Sequence, residues 1–231
     1  MNQLLKGKTI VVTGASKGIG RETVHLLRKY GANVAAGSRG SQMNVSETYL
    51  EMPLDVKNES SVRAFCERVI DQFGSIDVLV NCAGTGTFAS VTGSSTEDFD
   101  EMIAVNLRGS YLMCKYIGGH MEEKGSGHII NMISIAGKAA LAGGGGYSAS
   151  KFGLLGLTKV LQAELRQKGV QVTAILPGAV NSTFWDHIDS KPDLSQMIPV
   201  QTVAEHIVHT INQPPGAFID ELTIMPPLGI L

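Results

Sequence analysis

Apolar and polar positions along this chain follow two alternating rhythms. Short runs of β-branched and aliphatic residues read as buried strands, and between them lie segments whose apolar positions recur every three or four residues, as in helices. Lys8 to Thr13 begins the series with Thr-Ile-Val-Val-Thr, β-branched throughout and suited to a strand. A glycine-rich turn follows, then a helix with Val24, Leu26 and Leu27 as apolar positions, ending near Tyr30-Gly31. A second strand covers Ala32 to Gly37 and ends at Ser38-Arg39. Gly40 to Glu51 is short and polar, with little regular structure expected, and Met52 to Val56 reads as the third strand. Asn58 to Ser61 opens a helix that runs to about Phe73-Gly74, and Ile76 to Asn81 is a fourth strand ending in Cys82-Ala83-Gly84. A long helix starts at Ser94-Ser95-Thr96 and runs to about Lys124, interrupted in character around Asn106 and Gly109.

Gly127 to Ile133 is the fifth strand, ending at Ser134, and the glycine run Gly143 to Gly146 leads into a helix with Leu154, Leu155, Leu157, Leu161 and Leu165 as its apolar positions. Val170 to Leu176 is the sixth strand, stopped by Pro177-Gly178; Thr202 to Asn212 reads as a helix and Ala217 to Met225 as a last strand. Residues 183–199 lack periodicity and mix Phe184, Trp185, Ile188, Leu194, Met197 and Ile198 with polar residues. They are expected to form a mobile flap over a site. Strands alternating with helices imply parallel βαβ units. No internal repeat or linker interrupts them, so residues 1–231 are expected to form a single domain.

Composition narrows this picture. Apolar residues make up 43% of 231, and 27 glycines are too many for a helical bundle. The formal net charge of -2 offers no basic field to nucleic acid or to an anionic membrane. No apolar run reaches the roughly 18 residues that a membrane span needs. Met1 to Lys6 lacks the apolar stretch and cleavage site of a secretory signal. Cys66, Cys82 and Cys114 are odd in number and far apart, which suits reduced thiols and a cytoplasmic location better than a disulfide framework. The histidines show no metal-binding spacing, so no metal is expected. His206 and His209 read as a solvated helix face.

Three stretches carry chemistry. The first strand runs directly into Gly14-Ala15-Ser16-Lys17-Gly18-Ile19-Gly20 and then a helix. Glycines let the backbone approach a pyrophosphate, and the helix N-terminus offers it unpaired N–H groups. The second strand ends at Ser38-Arg39, where a NAD-selective site carries a carboxylate for the ribose 2′-hydroxyl. An arginine there fits a 2′-phosphate instead. Tyr147 and Lys151 stand four residues apart, one helical turn. A nearby ammonium favours the phenolate and lowers a tyrosine pKa from its ordinary value of about 10, so the pair suits proton exchange with a carbonyl or alcohol oxygen.

Together these motifs resemble the short-chain dehydrogenase/reductase family, over essentially the whole chain. Thr13 to Gly20 matches its T-G-x-x-x-G-x-G loop. Asn81-Cys82-Ala83-Gly84 matches N-N-A-G with Cys82 departing from the second Asn. Asn106, Ser134, Tyr147, Lys151 and Pro177-Gly178 fall in register, and Ser182 stands where a Thr is usual. The resemblance implies an α/β, doubly wound, Rossmann-type fold with a mainly parallel sheet of about seven strands and helices on both faces. It implies Tyr147 as acid/base, Lys151 lowering the Tyr147 pKa and holding the nicotinamide ribose, Ser134 bonding the substrate oxygen, and Asn106 holding a water that links Lys151 to solvent. Gly14, Ser16, Lys17, Gly18, Ile19 and Gly20 would cradle the adenosine and pyrophosphate side. Asp55 and Val56 would frame the adenine, Asn81, Ala83 and Gly84 the central ribose, and Pro177, Gly178, Val180 and Ser182 the nicotinamide end.

The expected activity is carbonyl–alcohol interconversion with NADP(H) preferred and NAD(H) possible. The expected substrate is a small carbonyl or alcohol with an apolar portion, and the resemblance also implies a homodimer or homotetramer. The alternative is an NADP(H)-binding regulatory protein with little catalysis. The segment from Arg39 to Asp55 is shorter than is usual in the family, so a full helix there is not expected.

Overall fold

The computed structural model describes residues 5–188 and 193–230. Strand alternation sorts the core into two layers. On β1 (Thr9–Thr13) Ile10 and Val12 face one side of the sheet and Val11 the other. On β5 (Val78–Asn81) Val78 and Val80 join the first side and Leu79 the second. The first side is covered by α1 (Gly18–Lys29) and α6 (Val200–Ile211), through Val24 and Leu27 against Val203, Ile207 and Ile211. The second is covered by α2 (Glu59–Phe73), α4 (Ser110–Lys124) and α5 (Gly145–Leu165), through Phe65, Ile117, Met121 and Leu154. Each such side chain, fully buried, contributes about 1.5–3 kcal/mol.

The remaining strands are β2 (Asn33–Ser38), β3 (Asn44–Val45), β4 (Tyr49–Pro53), β6 (Gly127–Met132), β7 (Val170–Pro177) and β10 (Glu221–Ile224), in the order β10-β7-β6-β5-β1-β2-β4-β3. Seven of the eight run parallel, as a doubly wound sheet requires; only β3 is antiparallel, on β4 at the edge. A separate parallel pair joins β8 (Val180–Asn181) to β9 (Ile198–Pro199).

Sequence and structure part company around residues 40–56. The segment expected to be irregular forms the β3–β4 hairpin, and the third parallel strand is Tyr49–Pro53 rather than Met52–Val56. Its register on β2 runs from Val34↔Tyr49 to Ser38↔Pro53. Leu54, which made the later window look strand-like, is buried just past the strand beside Gly37 and Phe65. No helix follows β2. The Arg28 guanidinium lies 4.1 Å from the Tyr49 ring centre and covers that ring instead, a cation–π contact.

Local rules fix the helix ends. Asn58 accepts from the N–H groups of Ser60 and Ser61 to cap α2. Ser95 accepts from Asp98 N–H to cap α3 (Thr96–Met102), as helix starts prefer. Between α3 and α4 the helix widens into π turns over Ile103–Gly109. This is where the sequence reads as interrupted, and π turns of this kind mark functional positions.

Candidate active site

The sheet order reverses between β1 and β5, since the chain leaves β1 toward β2 and β5 toward β6. Open α/β sheets bind ligands outside the carboxyl ends of strands at such a point. Here a cavity of about 980 Å³ is found there. It reaches from Ser38 at the end of β2 to Ser134 just past β6, three strand spacings or about 14 Å along the sheet.

The floor is built from two strand ends tied together. Thr13 Oγ1 accepts from the N–H groups of Cys82 and Ala83 at 3.1 and 3.0 Å. Gly14, at φ +66°, presses against that junction so closely that a Cβ would lie 2.8 Å from Ala83 Cα. A glycine is therefore required on both steric and dihedral grounds. Gly18, Ile19 and Gly20 line the cavity where α1 starts, and no side chain caps that start. These open N–H groups, beside a turn that packs too tightly on Ala83 to admit a Cβ at Gly14, fit the pyrophosphate of a dinucleotide.

At the far end, Tyr147 and Lys151 lie on the first turns of α5, and Ser134 begins the turn after β6. Lys151 is buried and donates from Nζ to Met132 O at 2.9 Å. Its Nζ sits 5.8 Å from the centre of the Tyr147 ring. Burial pulls the Lys151 pKa down to about 8. The Tyr147 phenol moves up from its ordinary value because burial outweighs the opposing hydrogen bond with Ser134. The expected downward pull of Lys151 on Tyr147 is thus not the governing effect; desolvation is.

Asn106 does not line the cavity. It is fully buried in the π turns, where its Oδ1 accepts from Thr85 N–H at 2.8 Å and its Nδ2 donates to Thr85 O at 2.8 Å and to Ser150 Oγ at 2.9 Å. Ser150 in turn donates to Tyr147 O at 2.7 Å. The Asn106 side chain clamps the loop after β5 onto the helix that carries Tyr147.

Asn81 does not line the cavity either. Strand alternation turns it into the core at 2% exposure, where Nδ2 donates to Asn131 Oδ1 at 2.9 Å and to Cys114 Sγ at 3.4 Å. Cys82, by contrast, lines the cavity, and burial pushes its thiol up to about 12 against the pull of Lys151. The other expected positions, including Ser16, Lys17, Arg39, Asp55, Val56, Ala83, Gly84, Pro177, Gly178, Val180 and Ser182, all border the cavity. Among the described residues no cluster of metal-ligating side chains is found, and no helix is long and apolar enough to cross a membrane.

An aromatic wall stands beside Tyr147, and Phe88 is the member of it that the sequence does not reveal. Phe88 stacks on Trp185 (5.9 Å between centres, 15°), and both Phe88 and Phe184 lie 5.6 Å from the Tyr147 ring. Trp185 is held by a bond from Nε1 to Val180 O at 2.9 Å. Phe184 and Trp185 come from the expected flap, but Ile188, Met197 and Ile198 of that segment are buried, and residues 189–192 lie outside the described residues. The glycine run before Tyr147 lets α3 and the loop that carries Phe88 close down: a Cβ on Gly146 would meet Met102, and one on Gly145 would meet Val91. Phe88 carried no periodic signal of its own; only the adjacent glycines hinted at a close approach.

Comparison with known proteins agrees with this geometry. Residues 8–193 match the model of the short chain dehydrogenase family. The chain belongs to that family. Among its relatives is an uncharacterized oxidoreductase from Staphylococcus haemolyticus, 31% identical over 96% of this chain and 98% of the relative. A D-threitol dehydrogenase from Mycolicibacterium smegmatis is 38% identical over 76% of this chain and 71% of its own length. The solved alcohol dehydrogenase from Thermococcus sibiricus, complexed with 5-hydroxy-NADP, superposes with a TM-score of 0.84 at 28% identity, covering 94% of this chain and 95% of that one. This short-chain dehydrogenase is accordingly an oxidoreductase.

Proposed function

We propose that this short-chain dehydrogenase interconverts a carbonyl and an alcohol with NADP(H) as the preferred cofactor and Tyr147 as the acid/base. The supporting observation is that Ser134, Tyr147 and Lys151 border the same cavity as the glycine cradle and Arg39. The nicotinamide cofactor, held by the Gly14–Gly20 loop, Asp55, Val56, Ala83, Gly84 and the Pro177–Ser182 segment, supplies the hydride chemistry. In the reductive direction, burial keeps the Tyr147 phenol protonated and ready to give its proton to the carbonyl oxygen. The Ser134 hydroxyl donates to that same oxygen as negative charge develops. Lys151 uses one N–H on Met132 O and keeps two to steady the phenolate and hold a ribose hydroxyl.

The substrate is a small molecule whose apolar portion packs on Phe88, Phe184 and Trp185. The relative named for D-threitol acts on a polyol, and this aromatic wall favours a less polar compound here. We further infer a cytoplasmic protein of one domain that forms a homodimer or homotetramer through α4 and α5. Tyr111, Phe152 and Val160 are 46%, 46% and 51% exposed on those helices, whereas Leu155 belongs to the core.

The test is a panel of aldehydes and ketones incubated with NADPH and followed by nicotinamide absorbance, for wild type and Tyr147→Phe. Turnover that survives Tyr147→Phe overturns the acid/base role. Tight NADP(H) binding with no turnover across the panel points instead to a regulatory NADP(H)-binding protein.

A further inference from the structure

Cofactor selectivity at the Ser38 end depends on the direction of two hydrogen bonds. Ser38 and Ser41 close a tight turn, with Ser41 N–H donating to Ser38 O at 3.3 Å. The turn brings their hydroxyl oxygens to 2.7 Å, both residues being buried. Ser38 borders the cavity, and Glu51 of β4 stands on the other side of Ser41. Glu51 Oε1 is 3.0 Å from Ser41 Oγ, and Oε2 is 2.9 Å from the Tyr49 hydroxyl. Burial and Glu51 push the Tyr49 phenol up to about 12, so that hydroxyl also donates.

A carboxylate only accepts, so Ser41 gives its single proton to Glu51. With that proton committed, Ser41 can only accept from Ser38, and Ser38 gives its own proton inward. Ser38 therefore faces the cavity with lone pairs and nothing to donate. A 2′-phosphate carries close to two negative charges at neutral pH and meets those lone pairs with oxygens of its own. A ribose 2′-hydroxyl donates to them. We propose that Glu51, acting through Ser41, fixes Ser38 as an acceptor and turns this end of the site toward the 2′-hydroxyl of NAD(H), in opposition to Arg39.

Glu51 and Ser41 are thus positioning residues for cofactor selectivity. The inference rests on the dinucleotide reading above. Arg39 is 70% exposed and 3.8 Å from Glu101, so its contribution is screened by solvent. The two opposing preferences leave the wild type able to use both cofactors.

The experiment is calorimetric titration of the purified protein with NAD⁺ and with NADP⁺, without substrate, for wild type, Ser41→Ala, Ser38→Ala and Arg39→Ala. Ser41→Ala removes the inward acceptor and frees the Ser38 proton to point into the cavity. The Kd ratio should move about tenfold toward NADP⁺, the worth of one hydrogen bond to a charged group. Ser38→Ala should weaken NAD⁺ several-fold and leave NADP⁺ unchanged or tighter. An unchanged ratio in Ser41→Ala, or equal losses of both cofactors in Ser38→Ala, overturns the proposal. Arg39→Ala is the separate arm: equal losses there overturn the phosphate reading alone, and failure of the wild type to bind either dinucleotide overturns both.

Discussion

At the Tyr147 end of the cavity the functional side chains are gripped by buried regular structure. At the Arg39 end, selectivity depends on a four-residue turn and one exposed side chain. Tyr147 sits on a 21-residue helix, its carbonyl is bonded by Ser150, and Ser150 is bonded by the fully buried Asn106. Arg39 extends from a turn beside a two-residue edge strand. The difference matches what the proposed function asks of each end. Proton transfer needs reacting atoms held within a few tenths of an ångström, whereas a 2′-substituent needs only charge and hydrogen-bond polarity of the right sign.

The gripped end should yield the largest effects. Tyr147→Phe keeps the ring packing with Phe88 and Phe184 but removes the proton, and turnover should fall by roughly 10²–10⁴ with NADP⁺ affinity nearly unchanged. Steady-state rates and calorimetry on the same samples check this. Next comes Asn106→Ala, which strands the N–H and the C=O of Thr85. It should cost about 2–3 kcal/mol of stability, or roughly 5–10 °C in thermal unfolding for a chain of this size. A melting temperature within a degree of wild type would show that the clamp is not what holds this end.

These two ends also differ in how well the sequence revealed them. Ser134, Tyr147 and Lys151 could be read because their spacing is tied to a strand and a helix with clear apolar periodicity. The glycine loop was legible for the same reason. Asn106 stood out as an anomaly in a helix, but its partners, Thr85 and Ser150, are 21 and 44 residues away, and no local pattern predicts such contacts. At the other end, Arg39 was visible as a charge, yet the polarity of Ser38 was not. That polarity depends on Glu51, which reaches Ser41 only because the β3–β4 hairpin brings it there. The strand expected at Met52–Val56 would have put Glu51 in a loop. Asn81 is legible as a motif position, but not that alternation along β5 turns its side chain into the core to meet Asn131.

The loose end should yield smaller, cofactor-specific effects. Arg39→Ala should lower kcat/KM with NADPH about tenfold and leave NADH use and the melting temperature nearly unchanged, because the side chain is largely solvated. A fall in stability, or equal losses with both cofactors, would erase the contrast between the two ends.

The smallest effect concerns Lys151, where the demands of the gripped end work against the fold. Burying this ammonium lowers its pKa from 10.5 to about 8. Below pH 8 both folded and unfolded chains carry the proton, and the folded state bears a desolvation cost of about 3 kcal/mol at 1.36 kcal/mol per pKa unit. Between pH 8 and 10.5 the unfolded chain binds more protons, so this group makes stability rise with pH across that window. Lys151→Met removes the buried charge but leaves Met132 O without its donor, a loss of about 1–3 kcal/mol. At pH 7 the two nearly offset, with a net gain of about 1 kcal/mol, or roughly 2–4 °C, in a protein that no longer turns over. Above pH 10 the wild-type lysine is neutral and only the lost hydrogen bond remains, so the variant should become the less stable of the two. Thermal unfolding at pH 7 and pH 10.5 reads the crossing directly. A variant less stable than wild type at both pH values would mean that the ammonium is stabilised where it lies, and that catalysis at this end is not opposed by burial.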